Sequence, residues 1–209
     1  MARTAVQADA ASLPQRMTWE EFVAWCDEDT WAEWVDGEVT VLSPASIAHQ
    51  HLKRFLTILL GLFVRTHNLG EVLDAPTLMR LPSRPSGREP DILFVSRDHL
   101  DRLRTTWIEG PADLVIEIVS PESEERDWET KRLEYAAAGI PEYWVLDRDR
   151  HDAAFFQLGP DGQYARAPLE GGSVYRAAVL LGFWLRVDWL WQLPTPDLEA
   201  AEALGLLRR

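Results

Sequence analysis

The seven residues DLVIEIV, 113–119, constrain this chain more than any other stretch. Side chains along a strand alternate between faces. Leu114, Ile116 and Ile118 therefore line one face, and Asp113, Val115, Glu117 and Val119 the other. Glu117 stands in mid-strand between apolar neighbours. Burying an ionised carboxylate is costly unless something pairs with it, and a bound cation is the usual solution where several carboxylates converge. The competing reading is a strand facing solvent, where Glu117 is simply hydrated. PDILFV, 90–95, is a second such strand. Pro90 suits a first strand position, where its missing N–H matters least, and Asp91 opens a continuous apolar run. Paired side by side, the two strands bring Asp91 and Glu117 into one cleft. Two carboxylates, a backbone carbonyl and waters make a typical Mg²⁺ shell. Alone, Asp91 is ordinary turn chemistry.

Around these strands the pattern predicts a mixed α/β (α+β) architecture, a mixed central sheet flanked by helices. Thr18 and Glu21 form a capping-box signature for a helix over 18–25. Residues 32–41 read as a hairpin turning at Asp36-Gly37, a pair that tolerates positive φ. Apolar residues from Leu52 to Val64 recur at helical spacing, predicting a helix from Ser46 or Ile47 to about His67. Strands are expected over 72–81, 91–95 and 113–119, then a helix over 123–138 stopped by Gly139. A strand over 142–147, a hairpin over 155–167 and a strand over 183–187 follow. LPSRPSGREP, 81–90, is rich in breakers and reads as a surface loop. Residues 1–16 read as a frayed leader, 17–193 as one domain and 194–209 as a helical tail.

The chain has 209 residues, enough for a core without disulfides. One cysteine, Cys26, excludes an internal disulfide and a Cys-built zinc site and fits a reducing cytoplasm. No run of about 18 apolar residues would span a membrane. Net charge is −13, which disfavours broad, non-specific binding to phosphates. Of 21 basic residues only Lys53 and Lys131 are lysine. A compact ammonium differs from an arginine fork, so Lys131 is a candidate for placing a water or offsetting charge. The plainer reading is an Asp127–Lys131 ion pair at i,i+4. His49 and His51 do not share a helix face, which argues against one zinc between them, and His49 reads as a cap or surface residue. Ser120 lacks a nucleophile elbow and reads as a helix cap. The segment 182–193 concentrates Trp184, Trp189 and Trp191. It reads as sheet packing or as a dimer interface.

AEWVDGEVTVLSPAS with HQHL, then EPDILFV, PADLVIEIVSPES and DWETKRLEYAAAGIPEYWVLD occur in this order. On these stretches the chain resembles the Uma-two family of restriction endonucleases, within the PD-(D/E)XK nuclease superfamily, over roughly residues 17–190. The resemblance implies a restriction endonuclease-like core and a divalent metal, Mg²⁺ or Mn²⁺, held by Asp91 and Glu117. The superfamily's lysine belongs two positions after the glutamate, where this chain has Val119. In this family the lysine comes from the following helix, which points to Lys131. The family's early acid falls on Glu33, either as an assistant to the metal or its water, or as a surface strand residue.

The implied activity is metal-dependent hydrolysis of DNA, with Asp91, Glu117, Lys131 and Glu33 as the catalytic set. Phosphate contacts are expected from Arg80, Arg84 and Arg88 or from Lys53 and Arg54. A homodimer would supply the two sites that a double-strand cut takes. Two other readings stand beside it. One is a non-catalytic module that keeps the nuclease core for binding or assembly, favoured by the acidity and by Val119. The other is a metal-dependent hydrolase of a smaller phosphoester.

Overall fold

The structure, a computed structural model, describes residues 16–26, 30–81 and 85–207. Most of the expected leader, 1–15, and Arg84 lie outside the described residues. Helix α1 (Trp19–Trp25) opens on the expected capping box: Thr18 Oγ1 accepts from the Glu21 N–H, and Glu21 returns a bond to the Thr18 N–H at 2.8 Å. Strands β1 (Ala32–Val35) and β2 (Glu38–Val41) form the expected hairpin, with Asp36 and Gly37 at φ 49° and 92°. Helix α2 (Ile47–His67) starts at Ser46, whose side chain accepts from the His49 N–H, and stops at Asn68 in the left-handed region.

The remaining elements are β3 (Gly70–Asp74), β4 (Leu78–Leu81), β5 (Ser86–Arg88), β6 (Ile92–Ser96), β7 (Trp107–Glu109), β8 (Leu114–Ile118), α3 (Lys131–Ala138), β9 (Glu142–Asp147), β10 (Asp152–Leu158), β11 (Tyr164–Arg166), β12 (Val174–Arg176), β13 (Trp184–Arg186) and α4 (Asp197–Ala203). A six-stranded mixed sheet runs in the order β11-β10-β9-β8-β6-β3, a five-stranded sheet in the order β2-β1-β5-β4-β7, and β12 pairs β13. Strands β8 and β9 are parallel, which places a helical crossover containing α3 between them.

Two expectations need correction. The strand expected over 72–81 breaks at the cis Ala75–Pro76 bond, and its halves join different sheets. The surface loop expected over 81–90 contains a buried strand, β5, wedged between β1 and β4. Gly87 permits this, because a Cβ there would collide with the Trp19 ring. Arg88 permits it by finding two carboxylates, described below. The helix expected over 123–138 also departs from regularity: Arg126–Thr130 is a π-helical turn leading into α3. Gly139 ends α3 at φ 80°, as expected.

The six-stranded sheet has two apolar faces. One carries Ile92, Phe94, Leu114, Ile116 and Ile118 and packs on the stripe of α2 from Leu52 to Val64. Each fully buried side chain of that kind is worth about 1.5–3 kcal/mol. The aromatic tail segment joins this core: Phe183, Trp189 and Leu190 are buried. Packing, not an open interface, accounts for those three residues. The opposite face carries Leu93, Val95, Val115, Tyr143 and Val145 against Tyr135 of α3 and Met79, Leu81 and Ile108 of the second sheet.

The β12–β13 hairpin is pinned by one buried carboxylate. Glu142 accepts bonds from Trp144 Nε1 (2.7 Å), Tyr175 Oη (2.5 Å) and the N–H groups of Ala178 (2.8 Å) and Val179 (2.9 Å). Truncating it strands four donors in the core, and buried unmet donors cost more than the bonds contributed. Glu142→Ala is expected to lower stability by about 3–5 kcal/mol. Urea unfolding checks this, and a change under 1 kcal/mol contradicts it.

Candidate functional site

Strands β6 and β8 run antiparallel with Ile92 opposite Ile116. One step further along that register sets Asp91 across from Glu117. Both belong to the face away from α2, by the alternation that puts Leu93 and Val115 there. The solvent-facing reading of Glu117 is corrected: β8 is an inner strand and Glu117 is only 3% exposed. Asp91 and Glu117 line one cleft of about 650 Å³, together with Glu33, His49, Lys53, Glu89, Asp127 and Lys131. All four residues of the expected catalytic set therefore meet.

Lys131 is the centre of the floor. Its ammonium lies 2.9 Å from Glu117 Oε1, 3.1 Å from Glu33 Oε1 and 3.3 Å from Asp127 Oδ1. The i,i+4 pair with Asp127 is real but is only one of three. The π-helical turn helps to make this possible. Its closing bond runs from the Lys131 N–H to the Arg126 carbonyl, five residues back, and such a turn shifts the side-chain register of a helix. Burial would drive the ammonium's pKa down; Glu117, Glu33 and Asp127 reverse that and raise it above the usual lysine range. Lys131 is thus a fixed cation and not a proton acceptor.

Glu33 is buried, so its surface-strand reading is corrected. Its Oε2 accepts from Arg88 Nη1 at 2.9 Å, and Arg88 also grips Glu134 through Nε (3.1 Å) and Nη2 (2.6 Å). Burial would raise the Glu33 carboxyl; the charges of Lys131, Arg88 and Arg126 outweigh it and bring the pKa to about 2. Glu117 goes the other way. Burial pushes it up, Lys131 opposes, and the negative charges of Asp127, Asp91 and Glu33 add to burial, leaving it near 8. The Tyr135 hydroxyl donates to Glu117 Oε1 at 2.8 Å. Asp91 accepts the Ile118 N–H on Oδ2 at 2.8 Å, while its Oδ1 lies 2.7 Å from His49 Nε2.

Several of these partners escape sequence reasoning. His49, read as a cap or surface residue, reaches Asp91 from the first turns of α2. Arg88, expected on phosphate, is buried between two carboxylates. Arg80 lies 3.5 Å from Glu109 and stacks over Trp19, and Arg54 lies 3.0 Å from His51 Nδ1. Lys53 donates to the Ala75 carbonyl at 3.0 Å while lining the cleft. Ser120 does not cap a helix; its hydroxyl donates to Ser123, which bonds Asp127 at 2.5 Å. Glu89 was missed. It is 6% exposed, its Oε1 has no hydrogen-bond partner, and burial with repulsion from Glu33 raises its pKa to about 7. Two signals existed. Glu89 shares strand parity with Asp91, and Glu134 and Tyr135 fall three and four residues after Lys131 on one helix face.

Residues 19–188 match the Uma2 family, described as "Putative restriction endonuclease". The chain belongs to the Uma2 family. Its fold is similar to the crystal structure of a "putative nuclease belonging to DUF820" from Anabaena variabilis, with a TM-score of 0.70. That match has 15% sequence identity and covers 84% of this chain and 97% of the other. At this identity the likeness speaks to the fold, which is restriction endonuclease-like. No curated protein matches the chain.

A divalent cation is what an Uma2 chain of this fold implies, and the donor set can be tested for it. Among the described residues, no three His, Cys, Asp or Glu side chains converge as a ready-made cage. Mg²⁺ does not need one, since it usually keeps several waters and takes one or two carboxylates. The floor holds Asp91 and Glu117 on adjacent strands, with Glu89 and Asp127 near them. Glu89 and Glu117 are held above the ordinary carboxylate value of 4.5. Carboxylates thus outnumber the positive charge that would ionise them all, and the residues fit a cation.

The Arg88 bridge can be tested directly. Glu33, lowered from 4.5 to about 2, contributes stability that is present above 4.5 and lost as pH falls through 2. Arg88→Met leaves Glu33 and Glu134 buried without their guanidinium. It is expected to cost about 3–5 kcal/mol at neutral pH, and the cost is expected to shrink as pH drops below 4.5. Chemical unfolding at several pH values measures it, and a pH-independent difference contradicts the bridge.

Proposed function

We propose that this chain is a divalent-metal-dependent nuclease that hydrolyses DNA phosphodiester bonds in the cleft below β6 and β8. The observation that carries this reading is the pairing of Asp91 and Glu117 across adjacent strands, with the Lys131 ammonium 2.9 Å from Glu117. Asp91 and Glu117 are the residues that would hold the metal, and Mg²⁺ or Mn²⁺ there would polarise a phosphate oxygen and lower the pKa of a bound water. Lys131 offsets negative charge that grows on the phosphate in the transition state. It needs no proton transfer to do so, because it stays cationic. Glu33 and Asp127 are positioning residues: they hold the ammonium from two further sides. His49 and the Ile118 N–H orient Asp91, and Tyr135 orients Glu117. Membership of a restriction endonuclease family supports the reaction class. A homodimer, presenting two such clefts, belongs to this reading.

The second reading is a binding or assembly module without turnover. Val119 in place of the strand lysine and the net charge of −13 favour it. Glu117→Gln and Asp91→Asn separate the two. Each is expected to reduce metal-dependent cleavage of an oligonucleotide by at least ~100-fold while thermal unfolding shows a folded protein. Cleavage by both variants at the wild-type rate would remove these residues from the reaction. A chromogenic phosphodiester assayed beside the oligonucleotide separates DNA from smaller phosphoesters.

A pH test follows from the raised carboxyls. Glu89 and Glu117 have folded pKa values above 4.5, so their contribution to stability is present below 4.5 and is lost as pH rises through 7 to 8. A cation that binds the ionised forms restores it. Mn²⁺ is therefore expected to raise the melting temperature more at pH 8 than at pH 5.5. Equal shifts at both pH values contradict a metal held by these groups.

A further inference from the structure

We infer that the cleft takes a single DNA strand and seats an unstacked base on the Trp31 indole at its mouth; this rests on the nuclease reading and names its substrate class. Trp31 is 37% exposed and lines the same cleft as Glu33, two residues further along the chain. Two extended residues span roughly 7 Å, so the Trp31 backbone stands about that far along the chain from that of Glu33. Its backbone is fixed, since the Leu42 N–H donates to the Trp31 carbonyl at 2.8 Å. Its side chain belongs to none of the three apolar clusters and stacks on no other ring among the described residues. A large aromatic left over a third exposed forgoes apolar burial, and this one lines the cleft that holds the groups that would act on phosphate.

Charge selects a single strand over a duplex. Duplex binding rests on neutralising many phosphates, and the chain carries −13. The cations lining the cleft are Lys53, Arg126, Lys131 and Arg148. Lys131 is held on the floor by three carboxylates, and Arg126 lies 3.9 Å from Glu33. Lys53 and Arg148 donate only to neutral backbone carbonyls, of Ala75 and of Leu190 and Trp191. Beyond Lys131, Lys53 and Arg148 are therefore the two lining cations that keep charge to offer phosphate. Base stacking on an aromatic supplies affinity where phosphate contacts are few, and only an unpaired base presents its face.

The test compares a labelled thymidine decamer with a fully abasic decamer by fluorescence anisotropy, with EDTA present so that nothing is cleaved. Wild type is expected to prefer the thymidine strand on the order of 5- to 100-fold. Trp31→Ala is expected to bind both at the abasic level, and Trp31→Phe to keep most of the preference. Affinity is expected to fall with salt at a log–log slope of about −1.4, as two phosphate contacts on a single strand give. The inference is overturned if Trp31→Ala retains the base preference, if wild type binds neither decamer, or if it prefers a duplex of the same length. Cleavage is scored separately with Mn²⁺. Stacking without cleavage removes the hydrolase reading and leaves the stacking site. Cleavage by Trp31→Ala at the wild-type rate, with its base preference intact, removes the stacking site alone.

Discussion

One buried ammonium shared among three carboxylates organises this molecule. Lys131 joins β1 through Glu33, β8 through Glu117 and its own helical segment through Asp127. Arg88 extends the network to β5 and to Glu134 on α3. Taking such groups out of water is expensive, and an apolar core would have been a simpler way to join a helix to two sheets. The outlay makes sense where the groups also have chemistry to do. Negative charge stays in excess, visible as Glu117 and Glu89 held above their ordinary pKa. Carboxyls poised in this way are what the proposed cation would bind.

The fold serves that arrangement. The antiparallel register of β6 and β8 puts the two acids side by side. The parallel β8–β9 pairing requires a crossover, and the crossover carries Lys131 over the strand end. The π-helical turn before α3 leads into Lys131, whose ammonium reaches Glu117 of β8. Behind the sheet, α2 supplies the apolar support and also His49, which reaches round to Asp91.

Much of this was legible in the chain. The alternation in DLVIEIV exposed Glu117 as a misplaced acid, and the rarity of lysine drew attention to Lys131. The capping box at Thr18, the Asp36-Gly37 turn and the Gly139 stop are local signals, set by backbone conformation within a few residues, and the structure carries all three. What stayed hidden depends on contacts distant in sequence. The breaker-rich stretch 81–90 looked like surface loop because its burial comes from Trp19 on Gly87 and from two carboxylates on Arg88. Glu89 looked like the end of that same surface loop. Its burial arises only when β1 and β5 pair. The aromatic tail segment was ambiguous between core and interface, since composition alone does not say which surface a Trp covers.

The central claim is that Asp91 and Glu117 together hold one divalent ion. A crystal soaked in Mn²⁺ and measured for anomalous scattering tests it most directly. The account predicts a single strong peak within coordinating distance of both carboxylates, about 2.0–2.4 Å from their oxygens. A fully folded crystal with no peak there, or with the ion bound elsewhere and Lys131 still closing the site, would contradict it.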